Sequence, residues 1–360
     1  MRGTIFGDRY SATGTVMRGG GGEVYVCDDP NLRRKVAIKF LIPGIEKRRL
    51  LDEIAALQKI QSKNVIQVLD IVNDSKFGTG IVTEYLPGKD LTDESVWPDN
   101  RVSFLHLAYQ LSNGVADIHA ANRIHRDLKP NNLKFGDENI LKIFDFNLSR
   151  EHQDGHTIGF RGSHGFAAPE QYEPDPVNFT AKVDVYSMAA TLAFIALKGT
   201  LPPSFCLQPP DAMAWMPGFL TIPIVDNELA ELLNKALVRN PPDRPAAAEI
   251  RHLSSRLLLR NAHRATITMR EDKQAYEINE KNPTVQLSHP LTGGGSIEIT
   301  YDGLAFSVTN VNGNVLVNHR QCLRGQQLPN CCVIDLDSPT GRSADRRFVT
   351  FDLSNPEVVL

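Results

Sequence analysis

What is scarce in this chain narrows its class before any motif is read. Cysteine is scarce: Cys27, Cys206, Cys322, Cys331 and Cys332 are five in number and contain no C-x-x-C pair. An odd, unpatterned set is a poor disulfide framework. Each reads instead as a small buried apolar residue in a reduced, cytoplasmic setting. Charge of one sign is also lacking. Lys and Arg total 39 against 42 Asp and Glu, a net charge of −3 with a pI near 6.4. Nucleic-acid binding driven by bulk charge is therefore not expected. Long apolar runs are absent. The longest, "VYSMAATLAFIAL" at 185–197, falls short of the roughly 20 residues a membrane span needs. It reads as a helix apolar all round, buried in a large domain. "MRGTIFGDRYSATG" at the start has no apolar segment of the secretory kind, so neither a leader nor a membrane partner is expected. Long repeats and low-complexity tails are missing too.

What remains is the composition of a globular protein, 41% hydrophobic and 22% charged over 360 residues, long enough for two domains. "EVYVC" (23–27), "KVAIKFL" (35–41), "VIQVLDIV" (65–72) and "GIVTEYL" (80–86) read as strands. Between the second and third, residues 45–60 place Leu50, Ile54, Leu57 and Ile60 at helical spacing. After residue 100 the pattern turns helical, as in "VSFLHLAYQLSNGVADIHAAN" (102–122). From about 265 to 360, short strands such as "SIEIT", "CCVIDL" and "RFVTFDL" alternate with Gly, Asn, Pro and Asp, which predicts a small all-β sandwich.

Chemistry concentrates in a few stretches. Gly19, Gly20, Gly21 and Gly22 lead into a strand. Without Cβ atoms, the backbone there can approach a phosphate and aim its N–H groups at it. A plain hairpin turn is the alternative. Lys39 ends "VAIK" on the next strand. Glu53 projects toward the apolar helix face of Leu50 and Leu57, where a carboxylate is costly unless paired. Lys39 is its natural partner. Glu46 lies nearly on that face, but in the first turn, where the helix dipole favours it. "IHRDLKPNNLKF" (124–135) is a loop, because Pro130 cannot continue a helix. Asp127 can accept a proton from an attacking hydroxyl. Asn132 offers a neutral oxygen to Mg²⁺, and Asp145 of "KIFDFNLSR" offers a hard anionic one to the same ion.

In this order, the stretches resemble eukaryotic-type protein kinases of the bacterial serine/threonine branch. The resemblance covers about residues 10–260. It is carried by "GGGGEV", "VAIK", Glu53, "HRDLKPNN", "DFN", "AAPEQ" (167–171), "DVYS" (184–187) and "DRP" (243–245). It implies an α+β chain with a two-lobed kinase fold, followed by the β domain. The β-rich lobe would span 10–86 and the helical lobe 87–260, with residues 1–9 leading in. It also implies ATP and Mg²⁺ as cofactors and proteins as substrates. Lys39 would grip the α- and β-phosphates and pair with Glu53. Asp127 would be the catalytic base, and Asn132 and Asp145 the metal ligands. Lys129 points to Ser/Thr rather than Tyr acceptors, and Ser163 fits the matching peptide-side position. Gly19 to Gly22, Val24, Ala37 and Leu133 would contact nucleotide. Thr83 falls at the gatekeeper place, and Glu84, Tyr85 and Leu86 form the hinge to adenine. Glu170 and Arg244 match a structural ion pair, and Asp184 the anchor of the catalytic loop.

Two positions depart from the family pattern. Met17 stands at the first loop glycine, at a strand end, where a flexible thioether is tolerable. Asn147 replaces the glycine after the metal-binding Asp145 and Phe146. Asn is among the few residues that accept left-handed φ at small cost. Because the charge-handling residues are intact, a working kinase with a shifted active–inactive balance is expected. A pseudokinase, or nucleotide-binding scaffold, is the alternative. Arg126 precedes the base and would pair with a phosphate on the 146–167 loop, with Thr157 as the autophosphorylation site. In the C-terminal part, "VTNVNGNVLVNHRQC" (308–322) resembles one hairpin of forkhead-associated domains, with Asn312 and Gly313 at its turn. That resemblance implies phosphopeptide binding or self-association. A common Asn-Gly hairpin explains the stretch equally well.

Overall fold

The computed structural model describes residues 2–19, 22–40, 54, 58–145, 163–173, 179–269, 275–291, 293–337, 342, 345–354, 356 and 358. The chain divides into two compact units, Met1–Ser254 and Ser255–Val359.

The first unit opens with a six-stranded sheet. Its strands are β1 (Ile5–Phe6), β2 (Tyr10–Gly19), β3 (Gly22–Asp29), β4 (Arg34–Phe40), β5 (Val68–Asp74) and β6 (Gly78–Glu84). They lie in the order β1-β2-β3-β4-β6-β5. One face carries an apolar core of Phe6, Tyr10, Tyr25, Val36, Ile38, Phe40 and Val82. Phe6 lies 5.0 to 5.5 Å, ring to ring, from Tyr25, Phe40 and Phe77. Residues 1–9, read as a lead, thus contain a strand. Two residues are too few to show a period in the sequence.

The third predicted strand is shifted. Val65 and Ile66 precede β5 and bond instead to Ile143, by a bridge and by Ile66 N to Ile143 O at 2.9 Å. Ile54 is helical and fully buried against Ile81. Residues 45–53 and 55–57 of the predicted helix, Glu53 included, lie outside the described residues, and Gln58 N donates to Ile54 O at 2.9 Å where the segment ends in a turn.

Helix α1 (Arg101–Ala120) follows. Asn100 caps it reciprocally with Ser103, and Phe104, Leu107, Ala108, Leu111 and Val115 form its buried stripe. The short hairpin β7 (Leu133–Phe135) and β8 (Leu141–Ile143) comes next. Helix α2 (Lys182–Ala196) is buried on nearly every residue, as its largely apolar sequence requires. Helices α3 (Asn227–Ala236) and α4 (Ala247–Leu258) are amphipathic and complete the helical part. No helix among the described residues is long and apolar enough to cross a membrane.

In the second unit, β9 (Arg264–Met269), β10 (Ala275–Ile278), β14 (Val315–Val317), β15 (Arg320–Gln321), β16 (Cys331–Leu336) and β17 (Arg347–Ser354) form one sheet. Strands β11 (Thr284–Ser288), β12 (Ser296–Tyr301) and β13 (Phe306–Asn312) form another. Ile267, Ile334, Val349 and Phe351 from the first sheet share a core with Ile297, Ile299, Phe306 and Val308 from the second. Along β17, Val349 and Phe351 point in while Phe348 and Thr350 are exposed, the alternation of a half-buried strand.

The Asn312-Gly313 turn departs from the hairpin expected of it. Strand β13 pairs with β12, and β14 pairs with β15 and β16, so the turn carries the chain from one sheet to the other. Gly313 sits at φ +71°, and a Cβ there would lie 3.1 Å from Gly295 Cα.

Candidate active site

The loop after α1 is held from below by one carboxylate. Asp184, in the first turn of α2, is fully buried. It accepts bonds from the backbone N–H of His125 and of Arg126, both at 2.8 Å, and from His119 Nε2 at 2.9 Å. Burial by itself would raise the Asp184 pKa. The His119 bond, with the electrostatic influence of the two rings and the His125 backbone bond, outweighs it and holds the carboxyl below its ordinary range. Arg126 takes a left-handed φ of +69°, costly for a side chain of its kind. Those bonds, with Gln171 Nε2 to Arg126 O at 3.0 Å, keep it there. His125 Nε2 faces Phe144 O at 3.0 Å, so Nδ1 is the acceptor for Asp127 N at 3.3 Å. One ring thereby connects the loop to the segment carrying Asp145.

Asp127 is the centre of this arrangement. Its Oδ2 accepts from Lys129 Nζ at 2.8 Å and Asn132 Nδ2 at 3.3 Å. Its Oδ1 accepts from Ser163 Oγ at 2.8 Å, and Ser163 Oγ in turn accepts from Lys129 Nζ at 2.7 Å. Asn132 Nδ2 also donates to Asp127 O at 2.8 Å, which fixes Oδ1 as the acceptor end of that amide. Asn132 is buried at the foot of β7, and its backbone O accepts from Phe144 N at 3.0 Å. Pairing of Leu133 with Ile143 then places Asn132 and Asp145 at the same end of the hairpin. Asp145 has φ +59°, and its carboxylate bonds to the Lys39 ammonium.

Lys39 comes from β4. In that sheet Val24 is opposite Lys39, and Ala37 is two residues before it, so the three share a face. Gly19 pairs with Gly22 at the end of the β2–β3 hairpin. Ala37, Leu86 and Leu133 are buried. Thr83 Oγ1 donates to Ala37 O at 3.4 Å. Glu170 and Arg244 meet as a buried bidentate pair at 2.6 and 2.8 Å, and Arg244 also donates to the carbonyls of Val238, Lys182 and Arg239.

Of the residues singled out in the sequence, the structure brings Asp127, Lys129, Asn132 and Ser163 into one bonded group and sets Lys39 against Asp145. The partner seen is Asp145, 106 residues on. The expected partner, Glu53, lies outside the described residues, as do Gly20, Gly21, Asn147 and Thr157. Arg126 lies over the Phe179 ring at 5.8 Å. Two participants were missed. The Glu84 side chain bonds Lys142 Nζ at 2.8 Å and Gln67 N at 2.9 Å, whereas the sequence reading used Glu84 only as hinge backbone. Asn64 is fully buried and bonds Gln110, Asn113 and Leu141. A polar residue beside apolar Val65 and Ile66 was the available signal.

The donor set fits a hard divalent cation. A carboxylate and an amide oxygen suit Mg²⁺, which is commonly held by one or two protein oxygens together with phosphates and water. No cluster of three or more His, Cys, Asp or Glu able to cage a metal alone exists among the described residues.

Residues 10–254 match the family model described as "Protein kinase domain". The chain belongs to the protein kinase family. It is similar to mitogen-activated protein kinase 14 of Xenopus laevis, 31% identical over 54% of this chain and 56% of that protein. A probable serine/threonine-protein kinase of Clostridium perfringens is 27% identical over 69% of this chain and 38% of its own length. Mitogen-activated protein kinase 12 of Rattus norvegicus is 29% identical over 67% and 76% respectively. The chain therefore spans about half the length of the first two of these relatives.

Proposed function

We propose that this chain is an ATP- and Mg²⁺-dependent protein kinase that transfers the γ-phosphate to Ser or Thr hydroxyls of proteins, itself included. One observation carries the reading: Asp127, Lys129 and Asn132, in a loop anchored on buried Asp184, are bonded to one another and to Ser163. Phosphoryl transfer asks for positioning and charge neutralisation more than covalent help. Asp127 orients the acceptor hydroxyl and takes its proton. Lys129, already bonded to Asp127, offers positive charge where the transferred group passes. Lys39 grips the non-transferred phosphates. Asn132 and Asp145 would hold Mg²⁺, which supplies neutralisation of the phosphate charge. Val24, Ala37 and Leu133 offer apolar surface to the adenine, and the backbone at Glu84 and Leu86 its polar edge.

The test is phosphate incorporation from labelled ATP into the full chain and into a general protein acceptor. Asp127→Asn is expected to cut turnover by about a hundred- to ten-thousand-fold, with ATP affinity unchanged. Equal signals from both proteins would favour the nucleotide-binding scaffold instead. Autophosphorylation is assigned to Thr157, and mass spectrometry finding that residue always unmodified would reject the assignment. We further read the second unit as a small sandwich of the forkhead-associated kind, used for phosphopeptide binding or self-association. Its two sheets around one apolar core support this. Binding of phosphothreonine peptides, and sedimentation of the full chain, distinguish the two uses.

A further inference from the structure

The first sheet is joined by charge to the β7–β8 hairpin and the residues just after it at two places among the described residues: Lys39 with Asp145 beyond β8, and Glu84 with Lys142 of β8. The first joint involves a carboxylate that a metal would claim. The second involves no proposed metal ligand, yet it acts on the strand just before that carboxylate. Lys142 is the middle residue of β8, three positions before Asp145.

The other ties of β8 run elsewhere. Leu141 N donates to Gln110 Oε1 at 2.7 Å, and Leu141 O accepts from Asn64 Nδ2 at 2.9 Å. Ile143 N donates to Asn64 O, and Ile143 O accepts from Ile66 N, both at 2.9 Å. A Cβ on Gly114 of α1 would come within 2.9 Å of Asn64 O and 2.7 Å of Ile143 Cδ1, so the helix approaches closely there. These bonds fix β8 to α1 and to the 62–67 loop. The Lys142 side chain instead reaches β6, at the residue that opens the hinge. There Glu84 Oε1 is shared between Lys142 Nζ and Gln67 N. The pair is largely shielded, with side chains 11% and 26% exposed.

We infer that Lys142 is a positioning residue for phosphoryl transfer, acting through Glu84 to keep the strand that presents Asp145 in register with the hinge. The inference rests on the kinase reading above. It makes the metal end and the adenine end of the site one mechanical piece. Loss of the Lys142 charge leaves the backbone ties of β8 in place, so the strand persists but its setting against the hinge is loosened.

The test compares the full chain with Lys142→Met, which keeps the stem and loses the charge, and Lys142→Arg, which keeps the charge. Three readouts are taken: adenosine affinity, the gain in ATP affinity on adding Mg²⁺, and hydrogen exchange of the 141–145 segment. Adenosine affinity is expected to stay within about twofold in all three proteins, while Lys142→Met loses about tenfold of the Mg²⁺ gain. Faster exchange at 141–145 and a fall in kcat accompany that loss, and Lys142→Arg recovers most of it. An unchanged Mg²⁺ gain in Lys142→Met overturns the inference. So does a parallel fall in adenosine affinity, or failure of the arginine variant to recover. Absence of phosphate transfer by the unaltered chain would sink the kinase reading instead, and the affinity and exchange measurements would still decide the role of Lys142.

Discussion

The two units bury different things. Between His119 and Arg244 the first unit hides His125, Asn132, Glu170, Gln171, Asp184 and Arg244, each bonded to several partners. In the second unit, His289 and Asp335 are the buried polar residues among those described, and the core is built of isoleucine, valine, leucine and aromatic rings with Ala265, Cys322 and Cys332. The contrast separates two ways of making an interior. A polar interior fixes geometry because every removed group strands its partners without hydrogen bonds. An apolar interior fixes only volume, and a removed group leaves a cavity.

Breaking the largest polar pair should therefore have the largest effect. Glu170→Ala leaves the Arg244 guanidinium buried and uncompensated, and is expected to cost about 4 kcal/mol. The loss should be visible as faster hydrogen exchange in α2, and unaltered protection there would contradict the role given to the pair. Phe351→Ala probes the apolar interior, at about 3 kcal/mol. Its effect should fall on the exchange of β16 and β17. A comparable loss from Phe351→Leu would mean that ring contacts with Phe306, rather than volume, hold that core.

A pH series sharpens the contrast further. The folded-state pKa of Asp184 is depressed, so its contribution is present above the unfolded carboxylate value of about 4. That contribution is lost as pH falls through the folded value. Protection of the His125–Asp127 amides should fall on acidification below about pH 4, and Asp184→Asn should be less protected at neutral pH with a flatter acid profile. Equal profiles would remove Asp184 as the acid-sensitive anchor. The smallest effect belongs to the turn between sheets. Gly313→Ala has to hold a left-handed φ against Gly295, and about 1 kcal/mol is expected. Urea titration showing no change would indicate that the backbone there readily relaxes.

The loop at 124–135 was legible because its residue types and spacing lie within a dozen positions of one another. Asp127, Asn132 and Lys129 are close in sequence and close in space. The Lys39–Asp145 pair was not legible, since nothing local tells a lysine which of several distant carboxylates it will meet. The shift of β5 has a similar cause. Val65 and Ile66 have strand composition, but buried Asn64 draws that stretch onto β8 instead. At Asn312-Gly313 the break between strands was legible, although Asn312 closes β13 and the bend falls at 313–314. A turn signal carries no information on whether the strands on either side pair with each other or part into separate sheets.

The family pattern starts at Tyr10, yet Phe6 is fully buried among Tyr25, Phe40 and Phe77. A fragment cut where the pattern starts would expose an aromatic socket on the sheet that carries Lys39. Such a fragment would bring its own stickiness to any assay, and weak nucleotide binding or clumping by it would report on the missing ring rather than on catalysis. Expression boundaries for work on this kinase domain belong ahead of Ile5.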